Sequence, residues 1–137
     1  MHSMTTVGVS IARDYDFVYD FLATPKNLFT WADALGTAFH PEGPLDWVAE
    51  APVAIDGPVT IRFSPRNIHG VLDVMALKAG IVVFQAPVRL MRNGAGCELT
   101  IGIWHRVEDV EAKRLSDVEW ARSDLLTLKT VLEQSGH

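Results

Sequence analysis

Cysteine is almost absent. Cys97 stands alone among 137 residues, so no intrachain disulfide can staple the chain and its stability must come from buried surface. A run of about 18 apolar residues and a secretory apolar segment are also missing, which leaves no stretch for a membrane-spanning helix. Basic residues are outnumbered, 12 Lys and Arg against 17 Asp and Glu. Because nucleic-acid affinity rests on cations meeting phosphates, the formal net charge of -5 speaks against a nucleic-acid partner. Together these absences fit a soluble, cytoplasmic protein. His2, His40, His69, His105 and His137 are scattered and no His/Cys/carboxylate spacing makes a zinc set, so no metal is expected. No G-x-S-x-G elbow marks a nucleophile, and Gly94-Ala95-Gly96 reads as a hairpin turn rather than a phosphate cradle. No cofactor is expected.

What the chain does have is apolar patterning. With 48% hydrophobic residues, residues 1–137 suit one domain that buries roughly 70% of the surface its unfolded chain exposes. The first three residues are either a native start or an expression remnant. The strongest pattern is the last, where Val118, Ala121, Leu125, Leu128 and Leu132 recur at helical spacing. It predicts a helix over 116–133, opened by a capping box of Ser116 and Glu119. At the other end, Thr5 to Ala12 alternates as a strand with one buried face. Asp14 can cap a short helix that places Phe17, Val18, Phe21 and Leu22 on one side. Thr24-Pro25 then starts a second short helix that runs to about Ala34. Pro41, Gly43, Pro44 and Pro52 limit the next segment to two short strands or edge pieces around Phe39 and Trp47.

From Pro58 onward, alternation and turns predict an antiparallel meander. Ile61 is set opposite Leu72, Val74 opposite Phe84, and Val88, Ala86 and Phe84 opposite Leu99, Ile101 and Ile103. The inner wall is then Ile61, Phe63, Leu72, Val74, Ala76, Val82, Phe84, Ala86, Val88, Leu90, Cys97, Leu99, Ile101 and Ile103, ending in His105. Arg89 falls opposite Glu98 on the other face. Met75, Val83 and Trp104 form an outward apolar row, and Pro87 implies a bulge or bend.

A strand, two short helices, a curved antiparallel meander and one long closing helix resemble the START-related helix-grip superfamily, which includes polyketide cyclase/dehydrase-like proteins, plant pathogenesis-related allergens and chaperone activators. The resemblance is carried by DFVYDFLATPKNLFTW at 16–31, VTIRFSPRNIHGVLDV at 59–74 and WARSDLLTLKTVLEQ at 120–134. It implies an α+β helix-grip fold, with the sheet wrapped around the last helix and a cavity between helix, sheet and the two short helices. Its segments bear on fold rather than on catalysis.

The resemblance and the apolar inner wall together point to binding of a hydrophobic small molecule such as a lipid, polyketide or aromatic compound. Trp31, Trp47, Phe63, Phe84, Ile101, Ile103, Leu125 and Leu128 would line the site, with His105 as its polar contact. A polyketide cyclase/dehydratase-like enzyme is the alternative, because His105 could move a proton, with Glu50 if that carboxyl faces inward. Whether Glu50 does so depends on which of its neighbours, Phe63 or the Trp47/Ala49 pair, fixes the face. A protein-interaction domain is the third reading, with Met75, Val83 and Trp104 as a homodimer surface. Cys97 has no basic neighbour to stabilise a thiolate and reads as core. His40 reads as a loop residue near a cavity mouth or on the surface.

Overall fold

The computed structural model describes residues 1–36, 38–53 and 55–134, with only the backbone of Ala34. His137 and Thr37 lie outside that set. The chain runs β1 (Ser3–Ile11), α1 (Tyr15–Ala23), two 3-10 turns (Pro25–Thr30 and Asp33–Leu35), β2 (Phe39–Pro41), β3 (Asp46–Ala49), β4 (Val59–Phe63), β5 (Val74–Lys78), β6 (Ile81–Ala86), β7 (Val88–Asn93), β8 (Gly96–His105) and α2 (Glu111–Gln134). Antiparallel strands and a long closing helix make the expected α+β architecture. The second short helix is replaced by the two 3-10 turns. Thr24 does not cap the first of them, because its hydroxyl donates back to the Asp20 carbonyl at 2.7 Å. Asp14 does cap α1, accepting from the amides of Asp16 and Phe17. On that helix Val18 and Tyr19 are buried while Phe17 is exposed beneath the Arg13 guanidinium.

α2 begins five residues before the expected cap, so Ser116 is helical and its pairing with Glu119 caps nothing. The earlier start has a local cause. Residues 106–109 close a turn in which the Arg106 amide donates to Asp109 Oδ2 and the Asp109 amide to the Arg106 carbonyl, and the good helix formers from Glu111 to Arg114 follow. The apolar stripe is as predicted, with Leu125, Leu128 and Leu132 buried and Val118 and Ala121 packed against them.

The strands form two hydrogen-bonded groups, β1-β8-β7 and β2-β3-β4-β5-β6. The seam between them is a single bent ladder. Val74 pairs with Ala86, and the same register carries on through the Leu72 amide to the Val88 carbonyl and the Leu90 amide to the Gly70 carbonyl. Pro87 interrupts it, and Asp73 Oδ1 takes the Val88 amide at 2.8 Å.

Several registers differ from expectation by an even number of residues, which preserves the face of each side chain. Ile61 faces Ala76 rather than Leu72, Val74 faces Ala86 rather than Phe84, and Val88 faces Ile101 rather than Leu99. Arg89 therefore lies opposite Thr100, not Glu98, and its guanidinium pairs with Asp73. The turns are the reason. The segment from Ser64 to Val71 is a loop tied by Asn67 side-chain bonds instead of a tight hairpin, and Gly94-Ala95 alone closes β7-β8.

One difference changes faces. A bulge in β6 lets Ala76 pair with Phe84 but Leu77 with Val82, leaving Val83 as the extra residue. Val82 thus turns outward with Leu77, and Val83 packs against the second core cluster. The expected outer row loses Val83 and the expected inner wall loses Val82.

Two apolar clusters result. The larger joins α2 to β1, β7, β8 and α1; the smaller joins Leu35 to Ala49, Val59, Ile61, Phe63 and Ala76. Val74 touches both.

Candidate functional site

Among the described residues the inner face carries one buried polar side chain. His105 closes β8 with 4% of its surface exposed. β1 pairs with β8 along its whole length, and this register sets Ser3 beside His105 and Thr5 beside Ile103. Thr5 Oγ1 lies 2.7 Å from His105 Nε2. The other ring nitrogen, Nδ1, is buried and has no partner among the described residues. Buried polar atoms are nearly always paired, and an orphan of this kind costs about 1–3 kcal/mol. The hydroxyl of Thr5 holds the ring in place and leaves Nδ1 to something else.

Phe84 is the second unusual inner residue. Directly across from buried Ala76, it is nevertheless 53% exposed and belongs to neither core cluster. Aromatic area of this kind on an inward face is unpaid hydrophobic surface. The other expected lining residues divide. Leu125 and Leu128 are fully buried core, Phe63 is buried in the smaller cluster, Ile101, Ile103 and Trp31 are partly buried against the larger one, and Trp47 is partly buried against the smaller. Trp47 also meets the Phe39 ring at 4.9 Å, and Phe39 stacks on Phe29.

Glu50 is on the outside. β3 sets Trp47 opposite Ile61 and Ala49 opposite Val59, and Glu50 Oε1 lies 2.5 Å from His40 Nε2 in an exposed pair. The pair raises the His40 pKa through the hydrogen bond to Glu50. Neither group reaches His105, so the inward Glu50 is excluded and both residues read as surface.

The sequence reading missed Asp124. It flanks the apolar stripe of α2, one residue before buried Leu125, and its carboxylate accepts the Asp33 amide at the start of the second 3-10 turn. Burial pushes its pKa up to about 6, the Asp33 amide opposes that shift, and the Asp33 carboxylate adds to it. Its place between Ala121 and Leu128 in the stripe was the available signal. Because the folded pKa lies above the unfolded one, this group adds stability fully below about pH 4 and loses it as pH rises through about 6. Asp124→Asn keeps an acceptor without the charge. It should raise stability at pH 7 by about 1–2 kcal/mol after allowance for solvent screening. Urea unfolding of both proteins at pH 4, 6 and 8 checks this; a difference that does not grow with pH would contradict it.

Burial also raises the Cys97 thiol pKa, in keeping with a core residue, and its Sγ faces the Arg13 carbonyl at 3.7 Å. Among the described residues no three His, Cys, Asp or Glu side chains are grouped to hold a metal ion, and no helix is long and apolar enough to cross a membrane.

An outward groove of about 440 Å³ is lined by Arg62, Met75, Gln85 and Trp104 together with Val74 and Ala86 of the inner wall, among others. Its charges are paired, Arg62 with Asp46 through two hydrogen bonds and Asp73 with Arg89.

No family model matches the chain, and no curated protein matches it. Solved structures do. XoxI from Bacillus cereus superposes with a TM-score of 0.72 at 14% identity, covering 98% of this chain and 99% of that one. This chain has the helix-grip fold. The Aha1 dimer of Colwellia psychrerythraea gives 0.69 at 14% identity over 98% and 99% of the two chains, and Ara h 8.0201 gives 0.64 at 8% identity over 98% and 99%. At such identities the likeness is one of fold, and function has to come from the site.

Proposed function

We propose that the protein binds a hydrophobic small molecule bearing one polar group, held against the inner face beside His105. The observation that carries this reading is the buried Nδ1 of His105, which has no partner among the described residues, in a fold whose helix and sheet enclose an apolar interior. A ligand hydroxyl or carbonyl supplies the missing partner, and exposed Phe84 on the same face supplies apolar contact. Apolar sites with one or two placed polar groups bind in this way. Trp31, Ile101 and Ile103 remain lining candidates because each is only partly buried; Leu125 and Leu128 act as the floor that holds the face in shape.

Proton-transfer chemistry would need a second group beside His105. Glu50 is across the molecule's surface in its pair with His40, and Asp124 is bonded to the Asp33 amide. A protein-interaction role, or a homodimer, would rest on Met75 and Trp104 alone, since Val83 turns inward.

The test compares naphthalene with 2-naphthol, which differ by one hydroxyl. His105→Leu should weaken 2-naphthol by about tenfold, the worth of one hydrogen bond, and leave naphthalene unchanged. Isothermal titration of both variants reads this. Equal affinity of the two proteins for 2-naphthol would remove His105 from the site.

A further inference from the structure

The inner face and the outer groove meet where β6 and β8 part. β7 pairs with β8 as far as Val88 and Ile101, and the Gly102 amide still donates to the Pro87 carbonyl at 2.9 Å. Continued through Ala86 and Ile103, that register would set Gln85 against Trp104 and then Phe84 against His105. Instead β6 pairs with β5 alone and the end of β8 with β1 alone.

Three features keep the strands apart. Pro87 has no amide to return to Gly102, so the last rung before the split is half made. The extra Val83 twists β6 away from the ladder. Beyond Trp104, the Arg106 amide is taken by Asp109 and its carbonyl by the Arg114 guanidinium, so the end of β8 is committed to its own turn. Two strand edges are left without a ladder partner on the sides that face each other, where edges are ordinarily paired or covered.

We propose that this fork between β6 and β8 is the passage by which a neutral apolar molecule reaches the inner face, moving from Trp104 and Met75 outside to Phe84 and His105 inside. The proposal rests on the binding reading given above. Four observations support it. Gln85 and Trp104, one from each side of the fork, both line the outer groove. Trp104 is 42% exposed on the outer side and Phe84 is exposed on the inner side. His105, whose Nδ1 has no partner among the described residues, ends β8 on the inner side of the same split. The flanking charges are neutralised in Arg62–Asp46 and Arg89–Asp73 pairs, which suits an uncharged traveller.

Gln85→Trp should plug the fork from its exposed outer lip. Stopped-flow fluorescence of 2-naphthol is expected to show association slowed about tenfold in this variant, with Kd within about threefold of wild type, since a passage governs rates and not equilibrium. Leu126→Trp, on the exposed side of α2, is the control for added bulk. Unchanged association by a Gln85→Trp protein that still binds would overturn the passage alone; no binding by wild type would sink the binding reading with it. Amide exchange, which needs no ligand, adds a second arm. The Gln85 and Trp104 amides should exchange about a hundredfold faster than those of Leu90 and Leu99. Equal protection would mean that the strands are zipped in solution and would overturn the open fork.

Discussion

Leu128→Ala is expected to lower the unfolding free energy by about 3 kcal/mol, within the range of about 2–5 seen for buried leucines. Leu128 is fully buried on the α2 stripe, where the larger cluster joins the helix to β1, β7, β8 and α1. Its neighbours Leu125 and Leu132 occupy adjacent turns of the same stripe and are buried too, so little room exists for collapse into the vacated volume. The loss therefore includes a cavity as well as the transfer free energy of three carbons. Urea unfolding followed by circular dichroism reads the difference. A loss below about 1 kcal/mol would mean that the helix is not clamped to the sheet as described.

Gly70→Ala should cost about 3 kcal/mol or more through a different mechanism, the sum of a left-handed backbone and overpacking. Gly70 has a φ of 70°, and a β-carbon there would lie 2.1 Å from the Leu90 carbonyl oxygen and 2.9 Å from the Tyr15 hydroxyl. Gly70 accepts the Leu90 amide at 2.9 Å, one of the bonds that carry the ladder across the Pro87 break. A shift large enough to relieve the clash would pull the two strand groups apart at their seam. Gly80→Ala is the matched control. Its φ is 77° with nothing near the added carbon, so it should cost only about 1 kcal/mol. Similar losses at both glycines would show that the close approach at Gly70 does not exist in solution.

Helical and strand periodicities made much of the fold legible. The α2 stripe and most of the inner face follow from apolar residues recurring at the period of their element, the Asp14 cap from its residue type, and the short strands around Phe39 and Trp47 from the prolines and glycine that bound them. Register was less legible, because slips of two or four residues leave each side chain on its face and the pattern cannot tell them apart. The bulge at Val83 was invisible for a related reason. An inserted residue in an unbroken apolar run, Ile81-Val82-Val83-Phe84, leaves no polar marker to show where parity changes. Glu50 depended on that kind of parity, and its ion pair with His40 settles it on the outside.

The candidate site was legible in one residue. His105 was placed inward by alternation alone, and its burial and its bond to Thr5 agree with that placement. What alternation could not supply was the unpartnered Nδ1 or the fork beside it. The split between β6 and β8 coincides with Pro87, the Val83 bulge and the Arg106–Asp109 turn, none of which shows in the alternation. Asp124 was passed over as one of the polar residues between stripe positions, since its burial depends on the distant 3-10 turn that covers it.

The most direct test is nitrogen NMR of the His105 ring during titration with 2-naphthol. The Nδ1 resonance is expected to shift on binding while the Nε2 resonance, held by Thr5, moves far less, and naphthalene should reproduce neither change. A folded protein whose His105 resonances stay fixed up to the solubility limit of 2-naphthol would contradict binding beside His105.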